Sequence, residues 1–161
     1  MRNLTEIRIS GFGGQGVILS NEPILYPYVT RPDILVTMSK EAYSLFTPQL
    51  KEDGILIIEQ DLVRVEKLPP GVRVYGVPAT RLAEELGKRM VLNIVMVGFF
   101  AAVTSVLEPE AVRQAVADSV PEAFRELNLR AFDKGFEYGT KHLSTSVHAE
   151  EQPIEVATLE Q

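Results

Sequence analysis

The chain has no cysteine and no tryptophan among its 161 residues. The missing thiols exclude disulfide scaffolds, thiolate zinc sites, thiol nucleophiles and iron–sulfur clusters ligated by this chain. Histidine is almost as scarce: the two, His142 and His148, sit near the C-terminal end without a plausible ligand set and read as solvated rather than metal-binding. Basic charge is also in deficit, with 16 Lys and Arg against 22 Asp and Glu, a net −6. No basic stripe is present of the kind that a phosphate backbone requires, so nucleic-acid binding is set aside. Long apolar runs are few. The one that invites a membrane reading is Met90–Leu107, which carries no charge. Asn93, Gly98, Thr104 and Ser105 dilute it and no second span accompanies it, so it reads as a core helix. Met1–Glu6 mixes charges of both signs and Arg8 follows, which gives no secretory leader; the expected location is the cytoplasm.

With 45% apolar residues the chain has enough material for one domain with a real core. Leu4–Ile9 alternates apolar and polar residues and reads as a strand, as do Ile34–Met38, Gly54–Glu59 and Val72–Val77. Ser39 is placed to cap a helix over Lys40–Leu50, and Thr80 one over Arg81–Lys88. Strands alternating with helices imply an α/β fold: a Rossmann-like, mostly parallel sheet flanked by helices. The second half changes character. Val91–Leu107 reads as the apolar helix, Glu108-Pro109-Glu110 opens another through Val116, and Ser119-Val120-Pro121-Glu122 has capping-box spacing for the last one. The C-terminal half is thus helical. His142 to the end has four Glu and no Lys or Arg, and from about Ser144 little periodicity remains. This divides the chain into a domain over 1–141 and an acidic, disordered tail over 142–161.

Gly11-Phe12-Gly13-Gly14-Gln15-Gly16 follows the first strand and satisfies G-x-G-x-x-G. Glycines there permit positive φ and close approach of a ligand, and a helix start leaves free N–H groups for an anion. A dinucleotide site would add an acid at the end of the second strand, where this chain has Thr37-Met38-Ser39. A tight turn serving packing alone stays open on these residues. The connection after the turn is also unusual, because Pro23, Pro27 and Pro32 stop a helix soon after Asn21 and leave the first crossover too short.

Ile7 to Val17, with its glycine turn, closely resembles the start of the gamma subunit, or gamma domain, of 2-oxoacid:ferredoxin oxidoreductases. Arg31–Tyr43 (RPDILVTMSKEAY), Asn93–Gly98 (NIVMVG) and Asn128–Gly135 (NLRAFDKG) continue the resemblance in the family's order. The family pattern also has a further strand and a Gly/Arg-rich loop ahead of Asn21-Glu22-Pro23-Ile24, so the resemblance and the short crossover point to the same junction, Ser20–Asn21: either the connection there is atypical, by natural deletion, or a segment is absent from the sequence as given. A Cα–Cα separation there well above the ~3.8 Å of a bonded pair is the expected sign of an absent segment.

The resemblance implies a subunit of an enzyme, inactive alone, that converts a 2-oxoacid, coenzyme A and oxidised ferredoxin to acyl-CoA, CO2 and reduced ferredoxin. Thiamine diphosphate and 4Fe-4S clusters would belong to alpha and beta, and delta or ferredoxin-like, partner subunits, with ferredoxin an indirect partner. The type leans to 2-oxoglutarate, with pyruvate next. No catalytic residue is assigned: Glu84 and Glu85 are adjacent on a helix and face apart. The expected contact with coenzyme A or the catalytic subunit is the sheet's C-terminal edge, through Gly11, Gly13, Gly14, Gln15, Gly16 and Ser39, with Glu59, Gln60 and Thr80 on the same edge. Asn93 is expected to set helix register, and Phe99, Phe100, Phe124 and Phe132 to be core or interface aromatics. A homodimer through the helical half is open. So is a different class, a free-standing nucleotide-binding module or a pure assembly module.

Overall fold

The computed structural model describes residues 5–11 and 29–149. Within them, β1 (Ile7–Ser10), β2 (Ile34–Thr37), β3 (Ile55–Glu59) and β4 (Arg73–Val77) form one sheet in the order β1-β2-β3-β4. All three pairings are parallel, with Ile7 opposite Ile34, Ile34 opposite Ile55 and Ile55 opposite Arg73. This is the expected parallel α/β architecture. Parallel strands cannot be joined by tight hairpins, so every connection crosses from one end of the sheet to the other.

The connections differ in kind. From β2 to β3 the chain passes through α1 (Lys40–Phe46) and a 3-10 turn at Thr47–Gln49. The expected helix to Leu50 tightens early because Pro48 stands in that turn and removes an N–H. From β3 to β4, residues 60–72 cross without a helix. The β1–β2 connection, with the short crossover and the Ser20–Asn21 junction, lies outside the described residues.

After β4 the chain is helical: α2 (Ala79–Glu85), a 3-10 turn at Arg89–Val91, α3 (Leu92–Val103), α4 (Pro109–Ser119) and α5 (Glu122–Ala149). Gly87 ends α2 with φ 78°, and the N–H groups of Gly87 and Lys88 return to the carbonyls of Glu84 and Ala83. That left-handed closure is why a glycine stands there. α5 runs on to Ala149, into the segment read from sequence as tail.

The apolar run is resolved by α3. Only Leu92–Val103 is helical, most of it buried, and no helix among the described residues is long and apolar enough to cross a membrane. One side of α3 meets the sheet through Val95, Met96, Phe99 and Val103, together with Ile34, Val36, Ile57 and Val77. Its other side, Val97 and Ala101, packs with Val112 and Val116 of α4 and Phe132 of α5.

Contact between α3 and α5 is backbone to backbone. A Cβ placed on Gly98 would stand 2.0 Å from the Phe132 carbonyl oxygen, and one on Gly135 would stand 2.0 Å from that of Val95. Phe99, Phe100 and Phe132 are core as expected, whereas Phe124 is 56% exposed and belongs to neither the core nor a packed seam. Asn93 is half-buried, and its Oδ1 accepts the neighbouring Ile94 N–H at 3.0 Å.

Candidate functional site

The four strands end along one edge. Gly11 follows β1, Ser39 lies just past β2, Glu59 closes β3, and Pro78 leads from β4 into α2. In an open parallel sheet this C-terminal edge is where ligands meet the protein. Backbone bonds hold it in line: Met38 N–H donates to the Ser10 carbonyl at 3.0 Å, and Gln60 N–H to that of Val77 at 3.1 Å. Gly11 stands at the edge; Gly13, Gly14, Gln15 and Gly16 lie outside the described residues.

Ser39 has the extended backbone of an N-cap, and its Oγ accepts the Ala42 N–H at 3.1 Å. The residue is only 2% exposed. What it contributes at the edge is the starting point of α1, as the cap expected from sequence, and not a free hydroxyl.

Thr80 corrects the sequence reading. It is not the cap of the following helix, since α2 already starts at Ala79 and the preceding Pro78 makes no side-chain cap. The acceptor comes instead from another strand. Glu59, fully buried, takes the Thr80 N–H on Oε1 at 3.2 Å and the Asp61 N–H on Oε2 at 3.1 Å. Sequence reasoning placed Glu59 on this edge but missed that role; the only signal was an acid closing an otherwise apolar strand, which burial makes costly unless it is bonded. Asp61 in turn holds Arg81, with Nε to Oδ2 at 2.6 Å and Nη2 to Oδ1 at 3.0 Å. This pair raises the Arg81 pKa above its ordinary value, through the hydrogen bond first and the charge second.

Two hydroxyls on the same edge are left over. Thr37 Oγ1, at the end of β2, and Thr80 Oγ1 are buried without a hydrogen-bond partner among the described residues. Buried polar atoms are normally satisfied, so this edge carries bonding capacity that the described residues do not use.

Glu84 and Glu85 are both exposed, and Glu85 pairs with Lys134 at 2.6 Å. Among the described residues no group of His, Asp and Glu is placed to hold a metal ion. His142 stacks on Tyr138, with ring centroids 6.3 Å apart. A cleft of about 520 Å³ lies away from the edge, lined by Tyr43, Thr47, Pro48, Lys67, Leu68 and Pro69 among others. The Tyr43 hydroxyl accepts the Glu66 N–H across its base at 2.9 Å.

An open parallel sheet with a polar C-terminal edge, backed by a helical half, defines a domain of the Rossmann-like α/β class. Comparison with known proteins makes the assignment specific. Residues 17–138 match the model of the family described as pyruvate ferredoxin/flavodoxin oxidoreductase, and the chain belongs to that family. It is 37% identical to the 2-oxoglutarate synthase subunit KorC of Methanocaldococcus jannaschii, over 82% of this chain and 92% of the relative. A pyruvate synthase subunit PorC of the same organism is 31% identical over 54% of this chain and 47% of the relative. Among solved structures, the gamma subunit of a keto/oxoacid ferredoxin oxidoreductase from Geobacter sulfurreducens superposes with a TM-score of 0.72 at 33% identity, covering 86% of this chain and 99% of that one.

The chain is therefore a gamma-type subunit of a 2-oxoacid:ferredoxin oxidoreductase, an oxidoreductase built from several subunits. The resemblance read from the four sequence segments is borne out. The KorC alignment spans 172 positions while drawing on 82% of a 161-residue chain. That relative accordingly carries some tens of residues, in one or more places, with no counterpart here.

Proposed function

We propose that this subunit completes the coenzyme A side of the active site for partner subunits that hold thiamine diphosphate and 4Fe-4S clusters, and that it supplies no reactive group of its own. The observation that carries the reading is the C-terminal edge. It brings together the start of the glycine turn, the α1 start set by Ser39, the Glu59–Asp61–Arg81 network and two hydroxyls with unused bonding capacity. Gly11, Gly13, Gly14, Gln15 and Gly16 would face coenzyme A or the catalytic subunit there, with backbone N–H groups as donors to phosphate. A chain without cysteine cannot ligate the clusters through thiolates, so that chemistry falls to alpha, beta and delta or ferredoxin-like partners, with ferredoxin reached indirectly.

The substrate of the assembled enzyme is 2-oxoglutarate in this reading. KorC subunits from three organisms are 34–37% identical over 82% of this chain, above the pyruvate and ketoisovalerate relatives in identity or in coverage. The site of action is the cytoplasm. The order of the family's motifs and the short crossover support Ser20–Asn21 as the junction at which the relatives' additional residues would fall.

Affinity capture of the full chain with mass spectrometry of its partners is the first test. Recovery of thiamine- and cluster-binding subunits supports the reading, and the captured complex should lose amide exchange at residues 37–39 and 59–61 when coenzyme A is added. A chain that persists alone and binds a nucleotide unaided would overturn it in favour of a free-standing module.

A further inference from the structure

The start of α2 is held from a distance, in a way that capping alone does not require. A Ser, Thr, Asp or Asn at position 78 would cap the helix locally. The chain has Pro78 there and buries a whole carboxylate, Glu59, which draws together Asp61 on one element and Thr80 on another. The network then closes on itself, because Asp61 grips Arg81, the residue after Thr80.

The product of this ring is an oriented cation. A guanidinium has five N–H donors in a rigid fork, and Asp61 occupies the edge formed by Nε and Nη2. The Arg81 side chain is nevertheless 61% exposed. Its remaining donors thus form a second edge of bidentate geometry, suited to a phosphate or carboxylate. Arg81 stands in the first turn of α2, at the C-terminal edge of the sheet, and of the ligands that the proposed reading brings to this edge it is coenzyme A that carries phosphates.

We infer that Arg81 is the phosphate-recognising residue of this edge for coenzyme A, and that Glu59 is a positioning residue that fixes its guanidinium through Asp61. The inference rests on the proposed placement of this edge on the coenzyme A side. Its test is steady-state kinetics of the assembled oxidoreductase carrying variants of the full chain. Arg81→Gln should raise KM for coenzyme A about tenfold and leave kcat and the KM for the 2-oxoacid within about twofold, with Arg81→Lys in between. Glu59→Gln keeps the size but turns one acceptor into a donor, and should raise the same KM several-fold. Combined with Arg81→Gln it should add nothing, because it acts through that residue.

Asp61→Asn loosens the guanidinium without touching a buried group and serves in place of Glu59→Gln if that variant fails to assemble. An unchanged KM for coenzyme A in Arg81→Gln overturns the inference. An effect of Arg81→Gln that is additive with the Glu59 or Asp61 change overturns the positioning role alone. Protection of residues 37–39 and 59–61 by coenzyme A separates the two levels: protection with an unmoved KM sinks only this inference, and no protection sinks the placement of the edge itself.

Discussion

The two faces of the sheet are covered in different ways. Ile34, Val36, Ile57 and Val77 lie under α2, α3 and α5, with α4 behind them, and α3 and α5 approach so closely that glycines replace side chains between them. On the opposite face, Leu35, Leu56 and Ile58 are covered, among the described residues, by α1, its 3-10 turn and the crossing segment with Val63 and Leu68. Leu45 on α1 remains 63% exposed, Val74 36%, and the cleft between α1 and the crossing segment opens on this side. On the first face the α3/α5 seam has no room for added side-chain atoms. On the second, among the described residues, the cover is a single layer.

That contrast predicts unequal answers to small changes in volume. Gly98→Ala should be the most damaging, at about 3 kcal/mol or more and so at the top of the range for overpacking, because the added methyl meets the Phe132 backbone and not a movable side chain. The denaturation midpoint and the near-ultraviolet circular dichroism should both report it; a stable, native-like Gly98→Ala chain would show that the α3/α5 seam has slack. On the opposite face Leu56, fully buried, should lose less on truncation than a rigid site would. We expect about 2 kcal/mol for Leu56→Ala, the lower end for such changes, since a thin cover can collapse into the space. A loss above that of Gly98→Ala would reverse the comparison.

Ser39→Ala removes the cap of the helix that covers this second face and should cost about 1 kcal/mol, read from the urea midpoint. The smallest effect concerns acid. Asp33 lies below the usual aspartate value of 3.8 because its carboxylate accepts the Glu6 N–H and pairs with Lys51, against a smaller opposing effect of burial. A carboxyl depressed in the folded state contributes its stability above the unfolded value and loses it as pH falls through the lower folded one. The acid limb of stability below pH 3.8 should therefore be shallower in Asp33→Asn. The group is partly exposed, so the difference is small and should shrink further in salt. An identical acid limb would remove Asp33 from the account.

The legibility of the molecule followed a physical divide. The apolar strand at Ile34, the cap at Ser39 and the helix start at Pro109 were readable because they depend on neighbours within a few positions. Of the two readings open for Phe124, core or interface, exposure removes the core, because hydrophobicity says that a ring prefers burial, not that its helix will present it inward. Thr80 was misread because a hydroxyl before a helix resembles a cap, and nothing local reveals that a carboxylate from β3 already fills the place.

By itself the amino-acid sequence determined the parallel α/β class, the exclusion of thiolate chemistry and the membership of an oxidoreductase family, since each rests on composition, local periodicity or an ordered set of short motifs. Only the tertiary structure decided that Glu59 joins the turn after β3 to the start of α2, that Asp61 pairs with Arg81 and that Gly98 and Gly135 let two helices touch. Those contacts join residues tens of positions apart, and their distances and directions exist only once the sheet has brought its strand ends into one line.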